Sequence, residues 1–346
     1  NGFNTSVQLQ ATDNLQLYGD GLFNQTDNRE DNQLIYIRTG TSGIRASAAV
    51  ALPPFEFAPG TNYFQYGSYA DAKTTPSTYL QDNEYETAQG VLGAQWTLDR
   101  VSVTGEVGYT ISKGSNQFTE IGTKTNGPLY TLDLRSIPNP AMFGVDLADP
   151  AIYEFDRYAD NDTRTRGSET VASVDVDYAL DAGLLSQLRG GIRYADRTAK
   201  RRGFNASYSF TTDNNLPLPS AVPGMLEITD DEVFRGEYDL AIQQWAVPTI
   251  AAVRNRRAAR TLFGLDPSGP PDAPSQFYDI NERTYAAYGQ VLYEFTLGGV
   301  PIDGNAGVRY VKTEPTLQGF RSAQGGGFDA VTVDTCRRPR RQSGAF

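Results

Sequence analysis

The chain has 346 residues, 39% of them hydrophobic, and a formal net charge of −11. Glycine, tyrosine and phenylalanine number 34, 20 and 17, which favours strands and turns and predicts an all-β fold. No stretch reaches the roughly 18 apolar residues of a transmembrane helix. Histidine is absent and Cys336 is the one cysteine, so Ser–His–Asp, Cys–His and His-ligated zinc chemistry are excluded. The acidic balance argues against nucleic-acid binding.

Four pairs of alternating stretches follow one another along the chain, each joined by a short turn. The first pair turns at Asp13-Asn14, the second at Asp99-Arg100 and the third across Asp181–Gly183. The fourth joins Arg283–Leu297 to Asn305–Thr313 through the sequence GGVPIDG. These patterns predict hairpins near residues 5–25, 86–112, 170–198 and 283–313.

Three long polar segments separate the hairpins, near residues 27–84, 115–168 and 200–281. They far exceed the usual connection of about four to six residues. Short turns at one end and long loops at the other are typical of outer-membrane barrels, and strands of ten residues match the roughly nine to eleven that cross a bilayer. We therefore predict a partial transmembrane antiparallel β-barrel of about eight strands. A soluble β-sandwich is the alternative, because its strands also alternate.

Alternation within each strand predicts which side chains share a face. In Val101–Ser112 one side is apolar and the other is polar. A charge facing lipid costs about 2–4 kcal/mol at mid-bilayer, so we assign the apolar side to lipid and the polar side to the lumen. The predicted lipid-facing residues include Val107, Val174, Ile192, Val291 and Val308. The predicted lumen-facing residues, which are candidate ligand contacts, are Glu106, Asp175, Asp177, Arg189, Arg193, Tyr288, Gln290, Glu294 and Arg309.

Opposite charges are expected to meet on the lumen side of the third and fourth hairpins, because a hairpin turn fixes the register of its strands. Ordinary cross-strand pairing and ligand binding both account for such pairs. The expected pairs are Asp177 with Arg189, Asp175 with Arg193, and Glu294 with Arg309.

Acidic residues are the remaining candidates for catalysis or metal binding. Asp175 and Asp177 share a face, as a glycosidase-like pair would, but flanking arginines and solvent give no reason to expect a general acid. We therefore predict that the chain is not an enzyme and needs no organic cofactor. Clustered carboxylates suit a loop calcium ion, although the spacing of a known calcium loop is missing and a solvated acidic loop is the alternative. The candidate calcium ligands are Asp156, Asp160 and Asp162.

One segment of the third long loop has helical character. Residues 240–264 have the pattern of a short amphipathic helix, which Pro248 is expected to interrupt. A docking lid and a helix packed within its own loop are both compatible with this pattern.

The last hairpin resembles TonB-dependent outer-membrane receptors. The resemblance is strongest over residues 281–314 and rests on YAAYGQ at 285–290 and GNAGVRY at 304–310, followed by Thr313-Glu314. It implies a 22-stranded barrel with an N-terminal plug domain, of which residues 1–334 would supply roughly a third of the strands. The implied partners are outer-membrane lipid, the TonB complex and a small-molecule or oligosaccharide ligand.

The two ends of the chain depart from that family. No plug-like segment or TonB box precedes Asn1, so we expect both ends to be cuts and the TonB contact to lie in the missing N-terminal region. Residues 335–346 lack the alternation of a closing strand and are predicted to be a non-native tail. No ligand residue is carried over, because the family's contacts lie largely in variable loops and the plug.

Together these patterns predict a TonB-energised receptor of the bacterial outer membrane that takes up a bulky nutrient. A carbohydrate or oligosaccharide is slightly favoured over a ferric siderophore. Tyrosine-rich segments such as Tyr63–Tyr69 suit stacking on sugar rings, although they suit aromatic chelators as well. A passive porin-like channel and a soluble glycan-binding β-sandwich are the alternatives.

Overall fold

The computed structural model describes residues 1–40, 48–136, 138–211, 214–230, 240–323, 327–334 and 340–342. Within these ranges, twelve strands form one antiparallel sheet and two short strands form a second. The strands are β1 Gly2–Thr12, β2 Leu15–Arg38, β3 Val50–Phe57, β4 Phe64–Leu98, β5 Val101–Asp133, β6 Asn139–Phe143, β7 Glu154–Ala182, β8 Leu185–Ser209, β9 Leu226–Ile228, β10 Ala246–Pro248, β11 Tyr278–Leu297, β12 Val300–Ser322, β13 Phe328–Asp334 and β14 Arg340–Gln342.

The main sheet follows the chain without a crossover. Its order is β1-β2-β4-β5-β7-β8-β11-β12-β13, while β3 pairs with β4, β6 with β5 and β14 with β12. The predicted all-β class and the predicted order of the eight hairpin strands are confirmed. Among the described residues β1 and β13 do not pair with each other, so the sheet is open.

Tight turns join the long strands at one end of the sheet. Asp13-Asn14 and Asp99-Arg100 are two-residue turns, as predicted. The predicted connection GGVPIDG is wrong, because the turn is Gly298-Gly299 alone and β12 begins at Val300. Both glycines have positive φ, at 60° and 87°, which suits a two-residue hairpin. The later residues of that sequence therefore pair with the end of β11.

The long segments between the predicted hairpins are largely strand, which corrects the predicted loops. β2 continues to Arg38, β4 starts at Phe64 and β5 runs to Asp133, all well inside the segments predicted as loops. Beyond the hairpins the side chains are mostly polar on both faces, so the apolar alternation that marks a strand in sequence disappears. The backbone ladder does not depend on that alternation, and it continues between neighbouring strands.

The far end of the sheet, opposite the two-residue turns, carries a cap formed by residues 214–230 and 240–277. The predicted helix is split into α1, Ile250–Arg254, and α2, Arg256–Leu262. Pro248 precedes both helices, and Asn255 separates them while its side chain caps α2. In the cap's core, Val253 and Phe263 lie in one buried cluster with Ile121 and other strand residues. The helices are therefore packed against the sheet.

Short helices complete the described elements. Three 3-10 helices span Pro150–Ile152, Pro219–Ala221 and Pro274–Gln276. No helix in the described part of the chain is long and apolar enough to span a membrane. Most of the predicted tail, residues 335–346, lies outside the described residues. The three that are described form β14 beside β12.

Candidate functional site

Strand pairing determines which side chains share a face, because directly paired residues point to the same side of a sheet. Val107 on β5 pairs with Ala172 on β7, two residues from Val174. Val174 pairs with Ile192 on β8, and the pairing continues in register to β11 and β12. Val291 and Val308 fall on the same side. We call this side the apolar face.

The apolar face is open along the hairpins near the turns. Val107 is 50% exposed, Ile192 63% and Val308 73%. In a β-sandwich, Val107, Val174 and Val176 would pack inside a shared core, but 40–50% of each remains exposed. In the part of the chain that the structure describes, the sheet therefore presents an uncovered apolar band instead of the interior of a sandwich.

The same register places all nine predicted lumen-facing residues on the opposite side, which we call the polar face. Glu106 lies opposite Ser173 on β7, while Tyr288 lies opposite Gly191 on β8 and Arg309 on β12. The nine residues span five neighbouring strands: Glu106 on β5; Asp175 and Asp177 on β7; Arg189 and Arg193 on β8; Tyr288, Gln290 and Glu294 on β11; and Arg309 on β12.

Two hydrogen bonds on the polar face join strands that are separated by another strand of the sheet. The Tyr18 hydroxyl donates to Glu106 Oε1 at 2.6 Å, across the whole width of β4. The Tyr288 hydroxyl donates to Asp175 Oδ1 at 2.7 Å, across β8. Each tyrosine spans an intervening strand at a glycine, Gly93 on β4 and Gly191 on β8. An added Cβ at Gly93 would lie 2.2 Å from the Tyr18 ring, so these contacts require glycine.

The predicted ion pairs have different outcomes. Asp177 pairs directly with Arg189 in register, and their Oδ1 and Nε atoms lie 2.5 Å apart, so this pair is confirmed. Asp175 is diagonal to Arg193, since it pairs with Gly191, and its hydrogen bond comes from Tyr288.

The predicted pair of Glu294 with Arg309 is wrong. Glu294 lies opposite Asp303, and Arg309 lies opposite Tyr288. The physical reason is the tight Gly298-Gly299 turn, which shifts β12 relative to the register that a seven-residue connection would give.

Several polar-face residues lie outside the predicted set, and two of them contact predicted members of it. Tyr18 and Gln187 contact Glu106 and Asp177, respectively, and both are on the polar face. The signal for Tyr18 is the alternation of the first hairpin, where Gln16, Tyr18 and Asp20 recur at every second position. Its partner Glu106 is 88 residues away in sequence, so only the sheet order reveals the contact.

The predicted calcium ligands bind cationic side chains. Arg256 and Arg260 of α2 donate to Asp160, with the Arg260 Nε 2.6 Å from Oδ2, and Lys73 binds Asp156 at 2.5 Å. Asp162 lies 3.4 Å from Arg164. Across the described residues, no group of three or more metal-binding side chains is placed to hold an ion. Asp160 instead anchors the cap.

Burial and ion pairing shift the pKa values of several side chains at the far end of the sheet. Burial raises the pKa of the Tyr130 hydroxyl to about 12. Hydrogen bonds from the side chain and backbone of Arg135 lower the pKa of Asp133 to about 2. Burial and the neighbouring Asp160 carboxylate raise the pKa of Tyr158. These pKa shifts follow from burial and from neighbouring charged groups at the far end.

Comparison with known families identifies the barrel. Residues 114–334 match the sequence model of the family described as TonB dependent receptor-like, beta-barrel. The chain belongs to this family. No curated protein and no solved structure matched the chain.

Membership in the TonB-dependent receptor family indicates where the open sheet lies in the cell and how it is oriented. These receptors reside in the outer membrane of bacteria and are transporters rather than enzymes. Their barrels have short periplasmic turns and long extracellular loops. In this receptor the two-residue turns therefore mark the periplasmic side, and the cap marks the extracellular side.

Proposed function

We propose that this receptor takes up a bulky, largely uncharged nutrient, a carbohydrate or oligosaccharide, and that its polar face lines the passage. Energy would be relayed by the TonB complex, the partner that the family implies. The supporting observation is the chemistry of the polar face. Within the four membrane hairpins it carries seven glutamine side chains, which both donate and accept hydrogen bonds as sugar hydroxyls do. They are Gln8, Gln10, Gln16, Gln89, Gln95, Gln187 and Gln290.

The charge of the polar face also favours a neutral cargo. Within the hairpins it carries six carboxylates and four guanidinium groups, so a negatively charged ferric chelate would meet net repulsion. The carboxylates are Asp20, Glu106, Asp175, Asp177, Glu294 and Asp303, and the guanidinium groups are those of Arg189, Arg193, Arg197 and Arg309.

The first experiment tests the assignment of the faces. Single cysteines would replace Arg193, Arg309, Ile192 and Val308 in a receptor whose Cys336 is changed to serine. A water-soluble thiol reagent is expected to label Arg193→Cys and Arg309→Cys, while Ile192→Cys and Val308→Cys react with a lipid-confined reagent. Equal aqueous labelling at all four sites would disprove the lumen assignment.

The second experiment tests the cargo and the need for energy. Purified receptor would be titrated calorimetrically with a panel of neutral oligosaccharides and ferric siderophores, and uptake of the bound compound would be followed in cells. We expect saturable binding of a neutral oligosaccharide and uptake that stops when a protonophore is added. Binding of ferric chelates alone would overturn the carbohydrate assignment. Uptake that persists with the protonophore would favour a passive channel.

A further inference from the structure

The polar face changes character on the extracellular side of the membrane hairpins. Four cross-strand rows, from the row of Thr26 to the row of Asn32, cross β2, β4, β5, β7 and β8 there. The charged side chains in these four rows of five residues are Glu30, Glu120 and Arg201. Each binds a protein side chain, and the partners are Asn28, Arg157 and Gln276, respectively. This region, which we call the neutral wall, therefore differs from the charged membrane hairpins.

An exposed tyrosine ring lies across β5 at the lower edge of the neutral wall. Tyr85 on β4 pairs with Gly114, and a Cβ added to that glycine would lie 3.2 Å from the ring. The ring therefore leans over the glycine instead of pointing away from the sheet. Tyr85 is 55% exposed, so much of its ring is open to a ligand. An aromatic ring in this position can stack on the C–H groups of a sugar.

A row of asparagines follows Tyr85 on the extracellular side. Asn28 pairs with Asn83, and Asn83 pairs with Asn116. Asn83 is 9% exposed, and its Oδ1 accepts hydrogen bonds from Asn116 and, at 3.5 Å, from Gln81. A primary amide has two N–H donors and a carbonyl acceptor, so Asn116 keeps one N–H and its Oδ1 for a ligand. Sugar hydroxyls match these groups, because they both donate and accept hydrogen bonds.

A second aromatic ring completes a track along β5. Phe118 lies two residues beyond Asn116 on the same face and packs against Tyr79, with the ring centroids 5.5 Å apart. Gly114, Asn116 and Phe118 occupy alternate positions of β5, so the Tyr85 ring, an amide and a second ring follow one another at intervals of about 7 Å. The two rings are therefore about 14 Å apart along the strand, so a sugar chain is needed to reach both.

The chemistry of this track distinguishes a sugar chain from an anionic chelate. Aromatic rings suit both ligands, but an anionic chelate needs a cation close to the rings. The one cation in the four described rows is Arg201, which lies three strands from Tyr85 and donates to Gln276 at 2.6 Å. The amide between the two rings suits neutral hydroxyls instead.

We propose that the neutral wall binds a neutral oligosaccharide along β5. One sugar unit stacks on Tyr85, hydroxyls bind Asn116, and a later unit packs on Phe118. This inference rests on the carbohydrate cargo proposed above, and it adds the binding residues on the barrel wall and a minimum length for the ligand.

The test measures binding of neutral oligosaccharides to the intact purified receptor by calorimetry. The probes are malto-, cello- and xylo-oligosaccharides, each as the disaccharide and the hexasaccharide. Tyr85→Ala is expected to weaken binding of both lengths about tenfold, and Asn116→Ala about fivefold. Phe118→Ala should weaken binding of the hexasaccharide alone, because the disaccharide does not reach that ring. An unchanged disaccharide affinity also shows that the Phe118 variant is folded.

Three further variants are matched controls and should bind both lengths as the wild type does. Tyr85→Phe keeps the ring. Gln117→Ala removes an amide from the opposite face of β5, next to Asn116. Tyr63→Ala removes a tyrosine that is 77% exposed and lies outside the neutral wall.

The outcomes separate this site from the carbohydrate assignment. Hexasaccharide affinity that is unchanged in both Tyr85→Ala and Asn116→Ala would overturn the site, while the carbohydrate assignment stands. Equal losses for the two ligand lengths in Phe118→Ala would overturn the track along β5. If no probe binds the wild-type receptor, the site and the carbohydrate assignment both fail.

Discussion

The two ends of the same strands are stabilised in different ways. Near the periplasmic turns, β5 exposes Val107 on one face and Glu106 on the other, with no protein layer covering the apolar side in the described chain. About fourteen residues further along β5, Ile121 is fully buried under the cap. Both residues lie on the same face of the sheet. One face of a strand is thus exposed near the turns and buried in a protein core at the far end.

This comparison shows what each region depends on. In the described part of the chain, the apolar side chains of the hairpins near the turns remain exposed, as a surface that faces lipid would. The far end contains its own core, with Phe155, Tyr158 and Phe210 packed around Phe263. We expect the far end to keep its packing in detergent and the hairpins to respond most strongly to the lipid environment.

The largest expected effect comes from Asp160, which anchors the cap. Asp160 is 1% exposed and accepts hydrogen bonds from Arg256, Arg260 and Tyr158. Asp160→Ala leaves two guanidinium groups without their buried carboxylate, so the cap should lose about 3–5 kcal/mol. Hydrogen exchange of α1 and α2 measures this loss. Asp272→Asn, which removes an exposed partner of Arg164, is the control and should cost less than about 1 kcal/mol. Unchanged protection in Asp160→Ala would show that the cap is held by its apolar core.

A second prediction compares neighbouring residues in the membrane. Val174→Arg puts a charge on the apolar face and should destabilise the refolded receptor by about 2–4 kcal/mol in lipid vesicles, as measured by urea unfolding. Ser173→Arg, on the polar face next to Glu106, should change stability by less than about 1 kcal/mol. Equal costs for the two variants would contradict the assigned faces.

A third prediction concerns the fourth hairpin's turn. Gly299 has a φ of 87°, so Gly299→Ala should cost about 1–2 kcal/mol. Gly289→Ala is the control, because an added Cβ there meets no atom within 4 Å and β11 is extended. That variant should be neutral or stabilising by up to about 1 kcal/mol. A neutral Gly299→Ala would indicate that the turn relaxes without strain.

The smallest effect is expected at the exposed pair of Asp133 and Arg135. In the folded receptor, Asp133 should titrate near pH 2, and Arg135→Gln should return its pKa toward the ordinary value of about 3.9. Because the folded pKa is lowered, the stabilisation is present above the unfolded pKa and is lost as pH falls from about 4 to about 2. Carboxyl carbon NMR measures both titrations. An identical Asp133 pKa in the two proteins would exclude Arg135 as the cause.

The sequence predicted the hairpins correctly where apolar and polar residues alternate up to a turn and alternate again after it. The turns at Asp13-Asn14 and Asp99-Arg100 were found because apolar alternation stops there and resumes beyond them. The contact of Asp177 with Arg189 was predicted correctly because both residues lie close to the turn between β7 and β8, where an error in strand register is small. The predicted Glu294 and Arg309 pair failed because it depended on the wrong turn length.

The sequence by itself therefore determined the fold class, the order of the hairpin strands and the two faces, because period-two alternation is local and side chains on a strand must alternate. Only the tertiary structure decided how far the strands continue and what covers them. Beyond the hairpins polar residues predominate and apolar residues such as Ile121 no longer recur at every second position, so the local pattern does not distinguish a strand from a loop. The burial of Asp160 by arginines about 100 residues later, and the contact of Tyr18 with Glu106, depend on which distant segments the sheet brings together.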